Sequence, residues 1–531
     1  MHDHSDHPLD CGCGAHGDAG DTPVAEAPNT LYDALFRPHI DTARPFLHWQ
    51  GRPIGYARFL RLAARIANAL RAAGLGPGDR VAVQVGKSPT ALALYAGAVQ
   101  AGIVYLPLNT AYTPAEVGYF VADSGARLLI CAPQAEEALH GADEAPPILT
   151  LSDDGTSGRF HDLLSGQPDV AEVAARGPGD LAALLYTSGT TGRSKGAMLT
   201  HDNLLSNART LTDLWRFTQD DTLLHALPIF HTHGLFVATN VTLLAGGALL
   251  LEPAFDAARA IGLMPQATAM MGVPTFYTRL LNDDGLTREL TAHMRLFISG
   301  SAPMLADTHA AWTARTGHRI LERYGMTEVN MATSNPHDGD RRAGTVGLPL
   351  PGVELKVCDA EGRDVPRGEV GVIELRGPNV FKGYWNMPDK TAEELRPDGF
   401  FITGDLAVQS PDGYVTIVGR AKDMIISGGF NIYPKEVEAA LDAVPGVLES
   451  AVVGAPHPDL GEAPLAVLVA EPGAALDPDA VLAAVAPQLA RFKQPRHVAL
   501  VDALPRNTMG KVQKAVLRDR FAQVFTRPRA R

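Results

Sequence analysis

A loop at residues 187–196 has the composition of an anion-binding site. It reads Thr-Ser-Gly-Thr-Thr-Gly-Arg-Ser-Lys-Gly and follows the apolar run 181–186, which predicts a buried strand. Glycine lets backbone N–H groups approach an anion, the hydroxyls add donors, and Lys195 adds charge. It is not a Walker A loop, because Ser194 precedes Lys195 and Gly196 follows it. Many loops of this composition are plain surface loops, but this length and order favour phosphate binding.

A second group, Tyr324 to Glu328, joins an aromatic ring to a carboxylate. The ring of Tyr324 could stack on adenine. Glu328 offers the kind of oxygen ligand that Mg²⁺ takes together with phosphate oxygens. Either residue alone is more often structural. In the same chain as a phosphate loop, the two together favour a nucleotide site.

The elements that would position these residues alternate between helix and strand. Helices are predicted at 60–75, 89–101 and 114–124, and strands at 80–85, 103–108 and 127–131. Such alternation predicts parallel sheets with helices on both faces, in which ligands bind beyond the carboxyl ends of strands. Gly344 to Asp412 instead predicts a small antiparallel β-barrel or sheet. The predicted fold class is therefore α/β, with a large N-terminal domain and a small α+β C-terminal domain.

Size and composition narrow the function classes. A chain of 531 residues exceeds one ordinary core, so two or more domains are expected. The net charge of −13 argues against nucleic acid as the main partner. No apolar run approaches the ~20 residues needed to span a bilayer, and four cysteines are too few for a disulfide framework. These features predict a soluble, cytoplasmic protein without membrane insertion.

The N-terminal residues 1–28 differ from the rest of the chain. They contain almost no large apolar residue, and their possible metal ligands are His2, His4, His7, Cys11, Cys13 and His16. Such a segment cannot form a core, so disorder is the favoured interpretation. Imidazole and thiolate groups at this density could also bind a metal such as zinc.

Several motifs together resemble those of the AMP-forming adenylating enzymes, which include acyl-CoA synthetases, luciferases and nonribosomal adenylation domains. These motifs are the loop 187–196, Tyr324 to Glu328, Phe401 to Leu406, Val418 to Asp423 and Leu504 to Lys514. The resemblance extends from about Leu31 to about Arg520. It implies that ATP contacts Thr187, Ser188, Gly189, Thr190, Thr191, Gly192, Lys195, Gly300, Ser301, Ala302, Tyr324, Asp405 and Arg420.

The resemblance also implies a set of catalytic residues. Lys511 would stabilise the charge that grows as pyrophosphate leaves, and Glu328 and Thr327 would act with it. Glu328 would hold Mg²⁺, with Thr190 as a further candidate ligand.

A mobile C-terminal domain is implied as well. Lys422 would be the hinge, and Gly428 and Gly429 would line a narrow tunnel for the pantetheine arm of CoA. The expected domains are a tail at 1–28, an AMP-binding domain at 29–420, a hinge at 421–422, a catalytic-lysine domain at 423–520 and a tail at 521–531.

Within the family, the stretches 186–211, 230–235 and 271–281 resemble malonyl-CoA synthetases. A buried Arg279 would need an anion, and malonate keeps a second carboxylate that a guanidinium can bind in bidentate fashion. His231 and Ser301 could add donors to the same pocket. The alternative, that Arg279 points to solvent, remains open at this point.

The expected activity is ATP-dependent formation of malonyl-CoA, or methylmalonyl-CoA, through an acyl-adenylate. The implied cofactors and partners are ATP, Mg²⁺, CoA and malonate, and the sequence leaves monomer and homodimer open. Three alternatives remain. They are a synthetase for another short acid, an adenylation enzyme that loads a carrier protein, and a non-catalytic metal-handling protein that uses the N-terminal histidines and cysteines.

Overall fold

The computed structural model describes residues 28–140, 146–187, 194–428, 430–507 and 510–525. Several predicted site residues lie outside these ranges, namely Ser188, Gly189, Thr190, Thr191, Gly192 and Gly429. The histidines and cysteines of the N-terminal segment also lie outside them.

The strands match the predicted alternation closely. In chain order they are β1 Pro45–Trp49, β2 Arg52–Gly55, β3 Arg80–Gln84, β4 Val104–Pro107, β5 Leu128–Cys131, β6 Ile148–Thr150, β7 Leu181–Thr187, β8 Lys195–Thr200, β9 Thr222–His225, β10 Ala248–Leu251, β11 Ala269–Gly272, β12 Leu296–Ser299, β13 Leu321–Met326, β14 Asn330–Ser334, β15 Leu348–Pro349, β16 Glu354–Cys358, β17 Val370–Arg376, β18 Phe401–Gln409, β19 Val415–Arg420, β20 Ile425–Ser427, β21 Phe430–Ile432, β22 Val447–His457, β23 Gly461–Ala470 and β24 His497–Leu500.

The α-helices lie between these strands. They are α1 Thr30–Leu35, α2 Tyr56–Ala72, α3 Pro89–Ala101, α4 Pro114–Ser124, α5 Glu136–Leu139, α6 Arg159–Leu164, α7 His201–Leu214, α8 Asn240–Ala245, α9 Ala257–Leu263, α10 Pro274–Leu281, α11 Arg288–Thr291, α12 Ala306–Thr316, α13 Pro388–Glu394, α14 Pro434–Asp442, α15 Pro478–Val485 and α16 Lys514–Arg520. A π-helix, His233–Thr239, leads into α8. None of the described helices is long and apolar enough to cross a membrane.

Two mostly parallel sheets form the large N-terminal domain. The first has the order β6-β5-β3-β4-β7-β8, and the second has the order β15-β14-β13-β12-β11-β9-β10-β1-β2. Only the strands at their edges pair antiparallel. The helices cover the sheet faces with apolar side chains, as α3 illustrates with every residue buried. The predicted α/β class is thus confirmed.

The other two sheets are antiparallel or mixed. The region predicted to be a small antiparallel barrel or sheet is a four-stranded antiparallel sheet of order β16-β17-β18-β19. The small C-terminal domain has a mixed sheet, β21-β20-β23-β22, to which β24 adds in parallel beside β23. Its core packs α14 and α15 on that sheet through residues such as Val437, Leu441 and Val481.

Candidate active site

Four parallel strands of the second sheet end side by side, and the residues that follow them converge. These strands are β9, β11, β12 and β13. The segments after them carry His231 and His233, Thr275, Gly300 to Ala302, and Thr327 with Glu328. Because ligands bind beyond the carboxyl ends of parallel strands, this edge of the sheet is the candidate active site.

Arg323 is a buried cation beneath this edge. Its side chain is only 2% exposed, and Nε, Nη1 and Nη2 have no hydrogen-bond partner among the residues that the structure describes. The guanidinium packs against Gly300, where an added Cβ would lie 2.5 Å from Cζ. Burial lowers the pKa of Arg323 to about 9, so the group is still charged at neutral pH. A desolvated cation without an anion is costly, so this position fits an anionic ligand.

Two neutral histidines lie beside Arg323. Burial, together with the charge of Arg323, lowers the pKa of His231 to about 4 and that of His233 well below its usual range. Oγ of Ser301 lies 3.3 Å from Nδ1 of His233, whereas the buried Nε2 of that ring has no partner among the described residues. Ser301 adopts a φ of 69°, which non-glycine residues rarely take. The result is a pocket with one cation and several neutral polar groups.

The expectation that Arg279 is buried is wrong, whereas its role in binding the acid stays a prediction. Arg279 is exposed, whereas Tyr277 and Leu280 on the same helix are buried. A helix turns by about 100° per residue, so the position two residues after Tyr277 lies on the opposite face of α10. No described residue forms an ion pair with Arg279. The buried arginine of the site is Arg323 instead.

Asp405 joins the two residues predicted to contact the nucleoside. The hydroxyl of Tyr324 donates to Oδ2 of Asp405 at 2.6 Å, and Nε of Arg420 lies 3.0 Å from Oδ1. Strand pairing positions the carboxylate and the guanidinium, because Asp405 and Arg420 are register partners on β18 and β19. Asp405 is 5% exposed, and its hydrogen bond holds the Tyr324 ring in one orientation.

Lys511 reaches this site from the C-terminal domain. Its neighbour Gly510 has a φ of 73°, and an added Cβ there would lie 3.1 Å from Oγ1 of Thr275 in the large domain. Burial lowers the pKa of Lys511 to about 8; the charge of Arg420 adds to this effect and that of Asp405 opposes it. The ammonium therefore lies within electrostatic reach of the predicted nucleoside contacts.

Lys195 is held by a carboxylate that the sequence did not indicate. Its ammonium lies 3.1 Å from both oxygens of Glu394 and 4.0 Å from the ring centre of Tyr384. The Tyr384 hydroxyl lies 2.6 Å from Oε2 of Glu394 and 3.1 Å from Oε1 of Glu328. The Tyr384 hydroxyl has one proton, so it donates a hydrogen bond to one of these two carboxylates at a time. Thr187 is the last member of this series of side-chain contacts, with Oγ1 3.4 Å from Oε1 of Glu328.

Glu328 fits the role of a magnesium ligand. Burial raises the pKa of its carboxyl group, and Lys195, whose charge opposes this effect, pairs with Glu394. Among the described residues no group of three His, Cys, Asp or Glu could hold a metal by itself. The Glu328 carboxylate is the kind of ligand that Mg²⁺ takes beside phosphate oxygens and water.

The remaining predicted residues lie near the domain junction or in the loops after β12 and β13. Lys422 is part of the 3₁₀ turn Ala421–Asp423, and burial lowers its pKa. Gly428 has a φ of 58°, which favours glycine, and its N–H donates to the Leu460 carbonyl at 2.9 Å. Ala302 and Thr327 are half-buried.

Three site residues were missed in the sequence: Arg323, Tyr384 and Glu394. A signal for Arg323 was present, because Glu322 and Arg323 place two charges in an otherwise apolar strand directly before the aromatic motif. Glu394 pairs with a lysine that lies far away in the chain, and no local pattern reports such a contact.

Comparison with known families decides which proteins this site belongs with. The model of the AMP-binding enzyme family matches residues 40–385, and that of the AMP-binding enzyme C-terminal domain matches residues 436–511. The chain belongs to the AMP-binding enzyme family. It is an acyl-CoA ligase of the AMP-forming type, and the resemblance that the motifs indicated is confirmed.

Individual relatives of this AMP-binding enzyme differ in their acids. The crystal structure of ATP-bound MatB from Rhodopseudomonas palustris is 55% identical, with a TM-score of 0.92 over 94% of this chain and 99% of that chain. Malonate–CoA ligase from Arabidopsis thaliana is 34% identical over 83% of this chain and 78% of the relative. Feruloyl-CoA synthase from Amycolatopsis sp. is 38% identical over 92% of this chain and 97% of the relative. Sequence identity alone therefore leaves the acid undetermined.

Proposed function

We propose that this enzyme is an AMP-forming malonate–CoA ligase that also takes methylmalonate. The observation that carries the proposal is the unpaired, buried guanidinium of Arg323. A ligand with a permanent second carboxylate satisfies that cation by a bidentate pair, whereas a monocarboxylic acid leaves it unpaired once its only carboxylate reacts. The pocket is also polar around Arg323, with His231, His233 and Ser301 beside it.

In the first half-reaction, Arg323 holds the distal carboxylate and the other carboxylate attacks the α-phosphate of ATP. Pyrophosphate leaves and malonyl-AMP remains. Asp405 binds the ribose and Arg420 supports it. Lys511 donates to the oxygens on which charge develops. Mg²⁺, when bound at Glu328, neutralises charge on the phosphates.

In the second half-reaction, the CoA thiolate attacks the malonyl carbonyl and AMP leaves. We propose that the C-terminal domain first turns about Lys422, which withdraws Lys511 and brings Gly428 and Gly429 to the pantetheine path. Such alternation lets one site perform two reactions. We also propose that the AMP-binding domain ends at residue 420 and that the catalytic-lysine domain begins at residue 423. The proposed location of the enzyme is the cytoplasm.

The test compares Arg323→Met with the wild type. Pyrophosphate release and acyl-CoA formation are measured with malonate, methylmalonate, sulfoacetate, succinate, acetate and octanoate. We expect the wild type to prefer malonate and the variant to lose about two orders of magnitude or more in kcat/KM for it, because a lost bidentate charge pair costs roughly 3 kcal/mol or more. Acetate turnover should change little.

Arg279→Met is the matched comparison, since it removes the exposed arginine of α10 that the sequence pointed to. If Arg323 alone holds the distal carboxylate, pyrophosphate release with malonate should equal that of the wild type, whereas a loss as large as that of Arg323→Met would place this carboxylate on Arg279. A wild type that prefers octanoate or feruloyl-type acids, with Arg323→Met unaffected, would remove malonate as the substrate while leaving the ligase chemistry in place.

A further inference from the structure

Lys87 is a buried lysine that takes no part in the site described above. It follows β3 and is 7% exposed. Its ammonium donates to Nδ1 of His225 at 2.8 Å, to the His225 carbonyl at 2.7 Å and to the Leu227 carbonyl at 2.8 Å. An ammonium has three N–H donors, so all three are used within the protein. Burial lowers the pKa of Lys87, and the charge of Glu252 opposes this effect.

This contact fixes the tautomer of His225. Because Nδ1 accepts a hydrogen bond from Lys87, the ring proton is on Nε2. Nε2 donates to the Gly234 carbonyl at 2.9 Å, and the Thr239 hydroxyl donates to the same oxygen at 2.9 Å. Burial and the Lys87 charge lower the pKa of His225 far below its usual range, so the ring is neutral. One imidazole therefore connects Lys87 to Gly234.

Leu227 and Gly234 flank the segment 228–233, whose two ends touch. An added Cβ at Gly234 would lie 2.1 Å from the Pro228 carbonyl oxygen. The Gly234 N–H also donates to the His231 carbonyl at 3.1 Å. Lys87 thus holds the start of the segment through carbonyl groups and its end through His225.

We propose that Lys87 is a positioning residue for the acid-binding pocket, which holds the segment 228–233 closed so that His231 and His233 lie beside Arg323. This inference rests on the proposed function in one respect, namely that the acid binds in this pocket. Of the predicted nucleotide contacts that the structure describes, Tyr324 and Asp405 lie on other strands, and Ser301 touches the segment through its hydroxyl, which lies 3.3 Å from Nδ1 of His233. Loss of Lys87 should therefore weaken acid binding and leave ATP binding nearly unchanged.

The first test is Lys87→Met, in which a side chain of similar length lacks the ammonium. KM for ATP and KM for the acid that the wild type prefers are measured by pyrophosphate release. We expect KM for the acid to rise about tenfold or more, and KM for ATP to change less than about twofold, since each lost buried hydrogen bond costs on the order of 1 kcal/mol. Lys356→Met, on β16, is the control for loss of one lysine charge, because its ammonium lies over the ring of Phe400.

An unchanged KM for the acid, or an equal rise in both KM values, would overturn the inference. Because the acid is whichever one the wild type prefers, a preference for an acid other than malonate would count against the proposed function alone.

Two variants of His225 keep the inference testable if Lys87→Met does not fold. Glutamine can place an amide N–H where Nε2–H lies, whereas asparagine can reach only the Nδ1 position. We expect His225→Gln to stay within about threefold of the wild-type KM for the acid, and His225→Asn to raise it about tenfold or more. The reverse order, or equal effects of the two variants, would show that the imidazole does not transmit the contact.

Discussion

Lys195 and Glu394 form a partly buried ion pair in the site, with the ammonium 3.1 Å from each carboxylate oxygen. Lys195 comes from β8, and Glu394 ends α13 in the sequence-distant segment that also carries Tyr384. The lysine of the predicted phosphate loop is therefore already paired with Glu394. If ATP contacts Lys195 as predicted, it either displaces Glu394 or binds beside a lysine that Glu394 already neutralises.

A double-mutant cycle measures this pair. Lys195→Met and Glu394→Gln should each lower the thermal midpoint, because each leaves one charge of a partly buried pair without its partner. We expect the double variant to lose less than the sum of the two, with a coupling of about 1–3 kcal/mol. Lys390 also lies 3.0 Å from Glu394 and keeps part of the stabilisation in Lys195→Met. Strict additivity of the midpoints would mean that the pair is not coupled.

Lys511→Met should separate the two half-reactions. Removing the ammonium takes away charge stabilisation during pyrophosphate loss, so adenylate formation should fall about 100-fold or more. The thioester step, started from supplied acyl-adenylate and CoA, should stay within about tenfold of the wild type, because the proposed rotation withdraws Lys511. Quenched assays of adenylate formation and of thioester formation give the two rates. Equal losses in both steps would contradict the rotation about Lys422.

The pKa of Lys511 predicts an alkaline limit for adenylation. Burial lowers that pKa from 10.5 to about 8, so the ammonium loses its proton as the pH rises through that value. kcat/KM for ATP, which reports the free enzyme, should therefore be constant below pH 7 and fall above about pH 8. Lys422 also lowers this pKa, so Lys422→Met should move the alkaline limit to higher pH. A limit that stays in place in Lys422→Met would assign it to another group.

Gly234→Ala should disrupt the closed segment 228–233. The new methyl group would meet the Pro228 carbonyl at 2.1 Å, and a backbone atom cannot move aside as a side chain can. We expect a loss of about 2–3 kcal/mol in unfolding free energy, with a higher KM for the acid. Gly262→Ala in α9 is the control, since no atom lies within 4 Å of the new methyl group. It should be neutral or stabilise the protein by up to about 1 kcal/mol. Midpoints from thermal melts decide between these outcomes.

Much of the fold followed from local pattern. The helices at 89–101 and 114–124 and the strand at 80–85 match α3, α4 and β3 almost residue for residue, because Pro at the first turn and apolar runs are local signals. The family was recognisable because its motifs are contiguous. Their residues, such as Asp405 and Lys511, lie near one another in the structure, and their catalytic roles stay predictions.

The substrate pocket could not be predicted in the same way. Choosing Arg279 required knowing which face of α10 is buried, and that face is set by packing against α9 and α12. Arg323 was hidden in a strand where side chains alternate between faces, and its neighbours come from β12 and from the segment after β9. Contacts of this kind, including Lys195 with Glu394 and Lys87 with His225, depend on tertiary structure.

If the acid binds Arg323 as proposed, the unpaired guanidinium links the stability of the enzyme to the concentration of that acid. A protein that folds around an unneutralised charge is less stable empty than filled, and a ligand at 100 times its Kd adds about 2.7 kcal/mol to the folded state. Differences of that size change the fraction of molecules that unfold and reach proteases. In a cell, the abundance of this ligase would then follow the concentration of its own acid, without any regulatory protein.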